Sequence, residues 1–330
     1  MVPEVGVCKP RYRRWAAVAL RWVVGIGLLV LALRQVDPGA LITALRRVDG
    51  GWLLTTLLTI LLGIGLKALR WKLLLQPVCP DRSGWDVLGI LLSGQAANIV
   101  LPLRGGEVLR AALIVPPSDG RAGAVLVGIG MEKAFDLLVL AASAGLALPL
   151  LPAGAPSSNW VRPLAAGLVL LGVVMAGGVF SPRAWTRLRP LLNGLPVRTR
   201  DRLRGWFDGL STGLEQLVHS GHLSRVLALT ALIWLVMLAT NLVLLRALAM
   251  QVSAGAAALV LVAVHLGLMP ALMPGNVGPF YLAVEVGLSP FGYGLELAAL
   301  YAILLHALVT LPPLLGAALY LAASRRGSTS

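Results

Sequence analysis

Six long apolar stretches constrain the fold of this 330-residue chain more than any other feature of its sequence. An α-helix needs about 20 predominantly apolar residues to cross the hydrocarbon core of a bilayer. Hydrophobic residues make up 58% of the chain and charged residues only 13%, which is too little polar surface to cover a soluble domain. The sequence therefore predicts an all-α polytopic membrane protein. Its six predicted full spans are residues 16–33, 52–69, 123–150, 160–180, 223–245 and 295–322.

Two further apolar stretches are interrupted by proline and glycine. Residues 85–101 lead into PLRGGE and continue to residue 115, and residues 254–273 lead into PGNVG and continue to residue 288. Such breaks free backbone polar groups, which are tolerated at membrane depth only where they are buried in protein or face water. We therefore predict two broken re-entrant hairpins, each entering and leaving on the same side. Two closely spaced full crossings would preserve the same orientation and remain an alternative.

The distribution of lysine and arginine predicts the orientation, because cytoplasmic loops carry an excess of both residues. Placing the N-terminus in the cytoplasm assigns 19 basic residues to cytoplasmic segments and 4 to external ones. Both termini are then cytoplasmic, and the uncharged loop 151–159 is external. This bias, together with anionic lipid headgroups, accounts for the net charge of +14. No nucleic-acid partner is expected, since the basic residues are spread over several short loops.

The two halves of the chain follow the same order of helix, amphipathic connector, helix, broken hairpin and helix. Pro102 and Gly106 have the four-residue spacing of Pro274 and Gly278. The first hairpin opens from the cytoplasm and the second from outside, so the predicted repeats are inverted. Inverted repeats with interrupted helices indicate a transport site at the repeat interface. The predicted boundaries are one integral membrane domain over residues 1–330, repeats of about 1–155 and 156–330, and a cytoplasmic amphipathic connector over 182–222.

Three charged residues, Glu132, Lys133 and Asp136, fall about 15–20 Å into a predicted span that starts at the cytoplasmic face. Glu132 and Asp136 are four residues apart on one helix face, where two carboxylates repel unless a cation lies between them. Arg104 and Arg110 of the first hairpin are the available partners, and Lys133 can also pair with Asp136. One interpretation is a structural network that attaches the hairpin to this helix. The other is a cationic pocket that receives an anionic headgroup.

The two hairpin tips differ in charge. Arg104 and Glu107 lie at the first tip, where open backbone N–H groups suit a phosphate and a simple tight turn is the alternative. Asn276 lies at the uncharged second tip. His265 and His306 fall near the middle of their helices. A single histidine in a helix bundle is usually a hydrogen-bonding core residue, whereas two beside one cavity would allow a proton relay.

Four segments of the chain, LKALRWKLLL, NIVLPLRGGEVLRA, MEKAFD and MPGNVGPF, resemble the flippase-like transmembrane domain of lysylphosphatidylglycerol synthases and their stand-alone relatives. The resemblance covers nearly the whole chain, with the segments in the expected order. It implies a bacterial or archaeal cytoplasmic-membrane protein that moves a lipid or lipid-linked headgroup between leaflets. The substrate-binding residues that the resemblance implies are Arg70, Asn98, Arg104, Glu107, Arg110, Glu132 and Asp136.

The second half departs from the pattern of this family at two positions. The family usually has a Pro-Gly-Gly-hydrophobic-Gly turn that is followed three residues later by glutamate. Here Asn276 replaces a glycine and Tyr281 stands at the glutamate position, with Glu285 one helical turn further on. The second-half cavity residues predicted with these departures are His265, Asn276, Tyr281, Glu285 and His306.

Together these features predict a flippase or transporter that moves an anionic lipid or lipid-linked headgroup by alternating access. The sequence has no GxSxG, HExxH, P-loop or CxxC pattern, so no catalytic residue, metal or cofactor is predicted. The aminoacyl-transferase domain of the full synthases is not expected, because only residues 325–330 follow the last span.

Two other functions stay open at this stage. One is an intramembrane enzyme that acts on a polyprenyl lipid or phospholipid with Glu107 or Glu132 as base. The other is a non-transporting membrane partner of a lipid-synthesis complex. Expected partners are membrane lipids with anionic headgroups, and lipid-biosynthesis enzymes and a second copy of the chain remain open. The sequence specifies neither the lipid nor the direction or energy source of transport.

Overall fold

The computed structural model describes residue 27 and residues 37–101, 105–115, 121–150, 158–180, 189–194, 196–269 and 274–327. These residues form helices and connecting turns, with no strand among them. The predicted first span, apart from residue 27, and the predicted site residue Arg104 lie outside this part of the chain. The α-helices are α1 (Pro38–Arg46), α2 (Gly50–Leu75), α3 (Gly84–Val100), α4 (Gly106–Ile114), α5 (Ala122–Ala147), α6 (Ser158–Phe180), α7 (Val197–His219), α8 (Leu223–Ala247), α9 (Ala254–Leu268), α10 (Val277–Leu288) and α11 (Leu295–Gly327).

Short polar residues set the start of four of these helices. Asp37 and Asp49 precede α1 and α2, and each accepts hydrogen bonds from the backbone N–H groups two and three residues further on. Ser83 and Ser253 accept a hydrogen bond from the third residue of α3 and α9, respectively. These side chains satisfy donors that the first helical turn leaves without a partner.

Three helices in the described residues are long and apolar enough to cross a membrane: α2, α8 and residues Leu295–Ser324 of α11. Helices α5 and α6 cover the third and fourth predicted spans, although the charged trio interrupts the apolar run of α5. Helix α2 ends at Leu75 rather than at residue 69. Lys67 and Arg70, which the charge count placed in a cytoplasmic segment, therefore lie inside a helix. Without Lys67 and Arg70, the cytoplasmic segments still carry more lysine and arginine than the external ones.

The two interrupted stretches form two helix pairs, α3 with α4 and α9 with α10, and the members of each pair pack against each other. At 1.5 Å per residue, α3 and α9 are ~25 Å and ~22 Å long, and α4 and α10 only ~14 Å and ~18 Å. The first pair closes where Gly106 meets Gly94, since a Cβ on Gly106 would lie 1.9 Å from the Gly94 carbonyl oxygen. The second pair turns through Gly275 and Asn276, both with positive φ.

The two halves of the chain pack through reciprocal contacts. Helix α2 lies along α8, α3 packs against α11, and α9 packs against α5. The amphipathic helices α1 and α7 also make matching contacts, because α1 packs against α11 and α7 packs against α5. The largest buried cluster joins α8, α9, α10 and α11 around Tyr301, whose hydroxyl donates to Asn241 Oδ1 at 2.6 Å. Helix α7 buries Leu210, Leu214 and Leu217 beside α5.

Candidate functional site

A polar cavity of about 480 Å³ lies where the two halves meet. Helices α2 to α5 from the first half and α8 to α11 from the second half all contribute to its wall. Both hairpins reach the cavity, the first through Asn98 and Glu107 and the second through Gly275 and Asn276. Its polar lining comprises Lys67, Gln95, Asn98, Glu107, Lys133, Asp136, Trp234, His265, Asn276, His306 and Thr310.

Arg70 is the cation that lies between the two carboxylates of α5. Its Nη1 is 2.7 Å from Asp136 Oδ1 and its Nη2 is 3.1 Å from Oδ2, which is a bidentate pair. Nη2 also lies 3.7 Å from Glu132 Oε1, and Nη1 donates to Thr230 Oγ1. Trp234 Nε1 donates to the same Asp136 carboxylate at 3.3 Å. Arg70 is only 1% exposed, so its network fixes α2, α5 and α8 to one another.

Arg110 connects the first hairpin to α5, as one of the two sequence-based interpretations expected. Its Nη2 lies 2.9 Å from Glu132 Oε2, and its guanidinium stacks on the Trp71 ring at 4.0 Å. Both members of the ion pair are buried. The partner of Asp136, in contrast, is Arg70 from α2, which reasoning from charge spacing alone did not propose. Arg70 entered the predicted site through the family resemblance only.

Asn98 fastens the tip of the first hairpin. Its Oδ1 accepts a hydrogen bond from the Gly106 backbone N–H at 2.8 Å, and its Nδ2 donates to Glu107 Oε1 at 3.3 Å. Gly105, which precedes α4, provides no side-chain cap, so Asn98 performs that role from α3. Lys133 Nζ lies 3.8 Å from Glu107 and 3.7 Å from Glu132, while Asp136, the partner predicted for Lys133, is bound by Arg70.

The second half contributes mainly aromatic and amide groups. His265 Nδ1 donates to the Leu261 carbonyl at 2.7 Å, and its ring lies 5.0 Å from that of Trp234. The His306 ring stacks on Phe280 at 4.7 Å. Each predicted histidine thus makes a packing contact and also faces the polar cavity. Of the other residues predicted for the second-half cavity, Asn276 lines the polar cavity, whereas Tyr281 and Glu285 do not.

Lys67 is a charged cavity residue that was not among the predicted site residues. It lies on α2 one turn before Arg70 and lines both the polar cavity and a smaller apolar cavity of about 210 Å³. Among the described residues, no carboxylate lies within ion-pairing distance of its ammonium group. A lysine three residues before Arg70 on one face of an apolar helix was the available signal. The charge count obscured it, because it assigned residue 67 to a cytoplasmic segment.

Among the described residues, the charged side chains of the site carry one more positive than negative charge. The cations are Lys67, Arg70, Arg110 and Lys133, and the carboxylates are Glu107, Glu132 and Asp136. Three of the cations contact carboxylates, so Lys67 carries the excess. Within the same residues, no group of three or more His, Cys, Asp or Glu side chains could hold a metal ion.

The fold and the site define an integral membrane protein whose apolar helices surround a charged, polar cavity. The chain belongs to the family described as the lysylphosphatidylglycerol synthase TM region, whose family model matches residues 18–317. The resemblance of the four sequence segments is thereby confirmed. The family connects the chain with the synthesis or flipping of membrane lipids. No curated protein matches the chain.

Proposed function

We propose that this protein moves an anionic lipid or lipid-linked headgroup between the leaflets of the bacterial or archaeal cytoplasmic membrane by alternating access. The polar cavity between the two halves is the observation that carries the proposal. Polar and ionisable groups are expensive inside a bilayer and usually mark a path for a substrate or ion. A cavity reached by two interrupted hairpins is typical of transporters with a site at the membrane midplane.

An arrangement of inverted repeats is part of this proposal. The reciprocal contacts support it, because exchanging the two halves converts the pair α3 and α11 into the pair α9 and α5. The same exchange converts α1 on α11 into α7 on α5 and leaves α2 on α8 unchanged. The helix lengths support re-entrant hairpins, since the hydrocarbon core is ~30 Å thick and each helix of either pair is shorter. The lysine and arginine count supports cytoplasmic termini.

The contacts of the two hairpins suggest how the cavity would change its access. The first hairpin is tied to α5 by the buried Arg110–Glu132 pair, and α5 is tied to α2 and α8 by Arg70. The second hairpin packs against α8 and α11 through the largest buried apolar cluster and the Phe280–His306 ring stack, and no ion pair holds it among the described residues. Breaking a buried ion pair costs far more than sliding an aromatic contact. The second hairpin is therefore the element that moves in the proposed cycle.

The state of Glu132 favours transport over catalysis. A general base must be free to accept a proton from its substrate. Glu132 is bound by Arg110 at 2.9 Å and has Arg70 and Lys133 at 3.7 Å, and it does not line the cavity. Glu107 does line the cavity, but one of its oxygens accepts from Asn98 at the hairpin tip. These contacts suit a binding pocket more than a proton-transfer site.

A reconstitution experiment tests the proposal. The purified full chain is inserted into liposomes that contain phosphatidylglycerol with a fluorescent label on one acyl chain, and dithionite then bleaches the label that it can reach. Transport predicts that bleaching continues beyond the outer leaflet in protein-containing liposomes. Bleaching that stops at the level of protein-free liposomes would refute leaflet exchange. A change in lipid mass after incubation, with no exchange, would favour the enzyme alternative.

A further inference from the structure

The polar cavity adjoins an apolar one. Both are lined by Lys67, Gln95, His265, Leu268, Phe280 and Val309, so the two share a wall. The apolar cavity extends from this wall between α2, α8, α9 and α11, past Ile60, Ile64 and Leu261. The two threonine hydroxyls in the wall of the apolar cavity bond to each other, since Thr240 Oγ1 donates to Thr59 Oγ1 at 2.9 Å. A charged compartment and an apolar compartment thus meet at one place.

Lys67 is the cation at this shared wall. Arg70, Arg110 and Lys133 contact carboxylates, whereas no described carboxylate lies within 4.0 Å of the Lys67 ammonium. Lys67 is half-buried and faces the polar cavity, and a charge at membrane depth is costly without a counter-charge. The excess of one positive charge among the described residues therefore calls for a ligand that brings one negative charge.

We infer that Lys67 binds the phosphate of a phospholipid that has a single phosphodiester and no cationic group in its headgroup, while the acyl-chain segment next to the headgroup occupies the apolar cavity. The inference rests on the proposed function, because it assumes that a lipid enters the polar cavity. A phosphodiester carries one negative charge and balances Lys67. A lipid diphosphate would bring more negative charge than the described cations leave open, and a zwitterionic headgroup would bring no net charge.

The apolar cavity also makes the lipid chain part of the ligand. The lipid lies with its headgroup beside Glu107, Lys133 and His306 and its first methylene groups beside Ile60 and Ile64. The soluble headgroup alone, glycerophosphoglycerol, keeps the single phosphodiester charge but has no acyl chain for the apolar cavity. It should therefore bind more weakly than the intact phospholipid.

Matched variants on α2 test the charged part and the apolar part of this site separately. Lys67→Gln removes the charge, and Lys72→Gln removes an exposed lysine charge from the same helix. Gly63→Leu fills the apolar cavity, where a Cβ would meet its nearest neighbour at 3.8 Å. Gly65→Leu adds the same side chain where nothing lies within 4 Å. Because Lys67 neutralises no described carboxylate, Lys67→Gln should fold with an unchanged or higher melting temperature.

The measurement is a titration of detergent-purified full chain with dioleoylphosphatidylglycerol, followed by native mass spectrometry. Lys67→Gln should weaken binding by about tenfold or more, since a hydrogen bond to a charged group is worth at least ~1.4 kcal/mol. Lys72→Gln and Gly65→Leu should bind as the wild type does. Gly63→Leu should lose affinity for the phospholipid but keep its weaker affinity for glycerophosphoglycerol.

The wild-type protein provides a test that no folding defect can obscure. It should prefer dioleoylphosphatidylglycerol to dioleoylphosphatidylcholine and to undecaprenyl diphosphate. Tighter binding of the diphosphate, or equal binding by wild type and Lys67→Gln, overturns the inference. Binding of glycerophosphoglycerol as tight as that of the phospholipid also overturns it. Absence of leaflet exchange in liposomes would refute the transport proposal alone, because this titration measures binding without transport.

Discussion

The Asp136 carboxylate is the closest counter-charge of the Arg70 guanidinium, 2.7 Å away. Replacing it with an amide in Asp136→Asn keeps the shape but leaves the guanidinium without its bidentate partner, with Glu132 3.7 Å away. Removing one partner of a buried ion pair costs on the order of 3–5 kcal/mol. We expect Asp136→Asn to lose stability of that size and to abolish leaflet exchange. Denaturant unfolding in detergent and the liposome assay measure the two effects.

An exposed ion pair provides the control for this substitution. Asp201 lies 3.3 Å from Arg200, and its side chain is 58% exposed. Solvent screens such a pair, so Asp201→Asn should leave the free energy of unfolding and leaflet exchange unchanged. Wild-type stability and exchange in Asp136→Asn would contradict the role given to the buried network.

The shape of Arg70 matters as well as its charge. A lysine ammonium is a point charge that cannot reach both Asp136 oxygens and Thr230 in the way that the planar fork does. We expect Arg70→Lys to lower the free energy of unfolding by about 1–3 kcal/mol, the cost of one lost charge-assisted hydrogen bond. The exposed substitution Arg47→Lys should have no such effect. Equal melting temperatures for both variants would show that charge alone suffices.

Residue-level prediction succeeded where the sequence itself brings groups together. The i,i+4 spacing of Glu132 and Asp136 required a cation between them, and the structure places one there. The identity of that cation was beyond the sequence, because Arg70 and Asp136 are 66 positions apart. Only the packing of α2 against α5 joins them. Whether these residues bind substrate stays a prediction.

At the scale of the helices, the first hairpin depends on one close backbone approach. A Cβ on Gly106 would lie 1.9 Å from the Gly94 carbonyl oxygen and 2.7 Å from Asn98 Oδ1. We expect Gly106→Ala to force the two helices apart and to lower the free energy of unfolding by ~1–3 kcal/mol, the usual cost of overpacking. Thermal unfolding in detergent measures the loss.

The neighbouring glycine is the control for this helix contact. Gly105 has φ of −64°, and a Cβ there would meet Leu101 at an ordinary 3.8 Å. Gly105→Ala should therefore be tolerated at nearly wild-type stability. If both alanine variants unfold alike, the tip is not held by the Gly94–Gly106 approach.

The sequence predicted the helices well where local chemistry sets their limits. The predicted breaks after residues 101 and 273 fall between the two members of each helix pair, since proline and glycine disrupt helices irrespective of packing, although α9 already ends at Leu268. The connector predicted over residues 182–222 contains α7, whose leucines face α5. Helix α2 continues to Leu75, beyond the predicted end of the second span, and the charge count treated Lys67 and Arg70 as a cytoplasmic flank although Arg70 is buried and Lys67 faces the polar cavity. Charge alone does not distinguish the two environments.

At the scale of the whole molecule, the sequence predicted a site between the two halves but neither the size nor the full lining of the cavities. Eight helices from both halves line the polar cavity, and its volume depends on how their side chains meet. The symmetry of the two halves was visible only in the order of helices and in one shared Pro–Gly spacing. The contacts of α3 with α11 and of α9 with α5, and those of α1 with α11 and of α7 with α5, support that pattern.

Orientation in the membrane is the whole-molecule property that a direct experiment can decide. Helix α6 is 23 residues long, or ~35 Å, and separates loop 151–159 from α7. The loop has no charge, whereas α7 begins with four arginines among residues 198–204, which anionic lipids of the inner leaflet would attract. We therefore expect residue 157 to face the outside and residue 199 to face the cytoplasm.

Cysteine labelling in intact cells tests this orientation. The background carries Cys8→Ser and Cys79→Ser, so that a single new cysteine, Ser157→Cys or Thr199→Cys, is the only thiol. A membrane-impermeant maleimide should label Ser157→Cys directly and Thr199→Cys only after the cells are permeabilised. The positive-inside bias orients all the spans of the chain together. The reverse labelling pattern would therefore invert the predicted orientation of every segment. Labelling of both positions from outside would instead remove α6 as a membrane span and contradict the proposed repeat order.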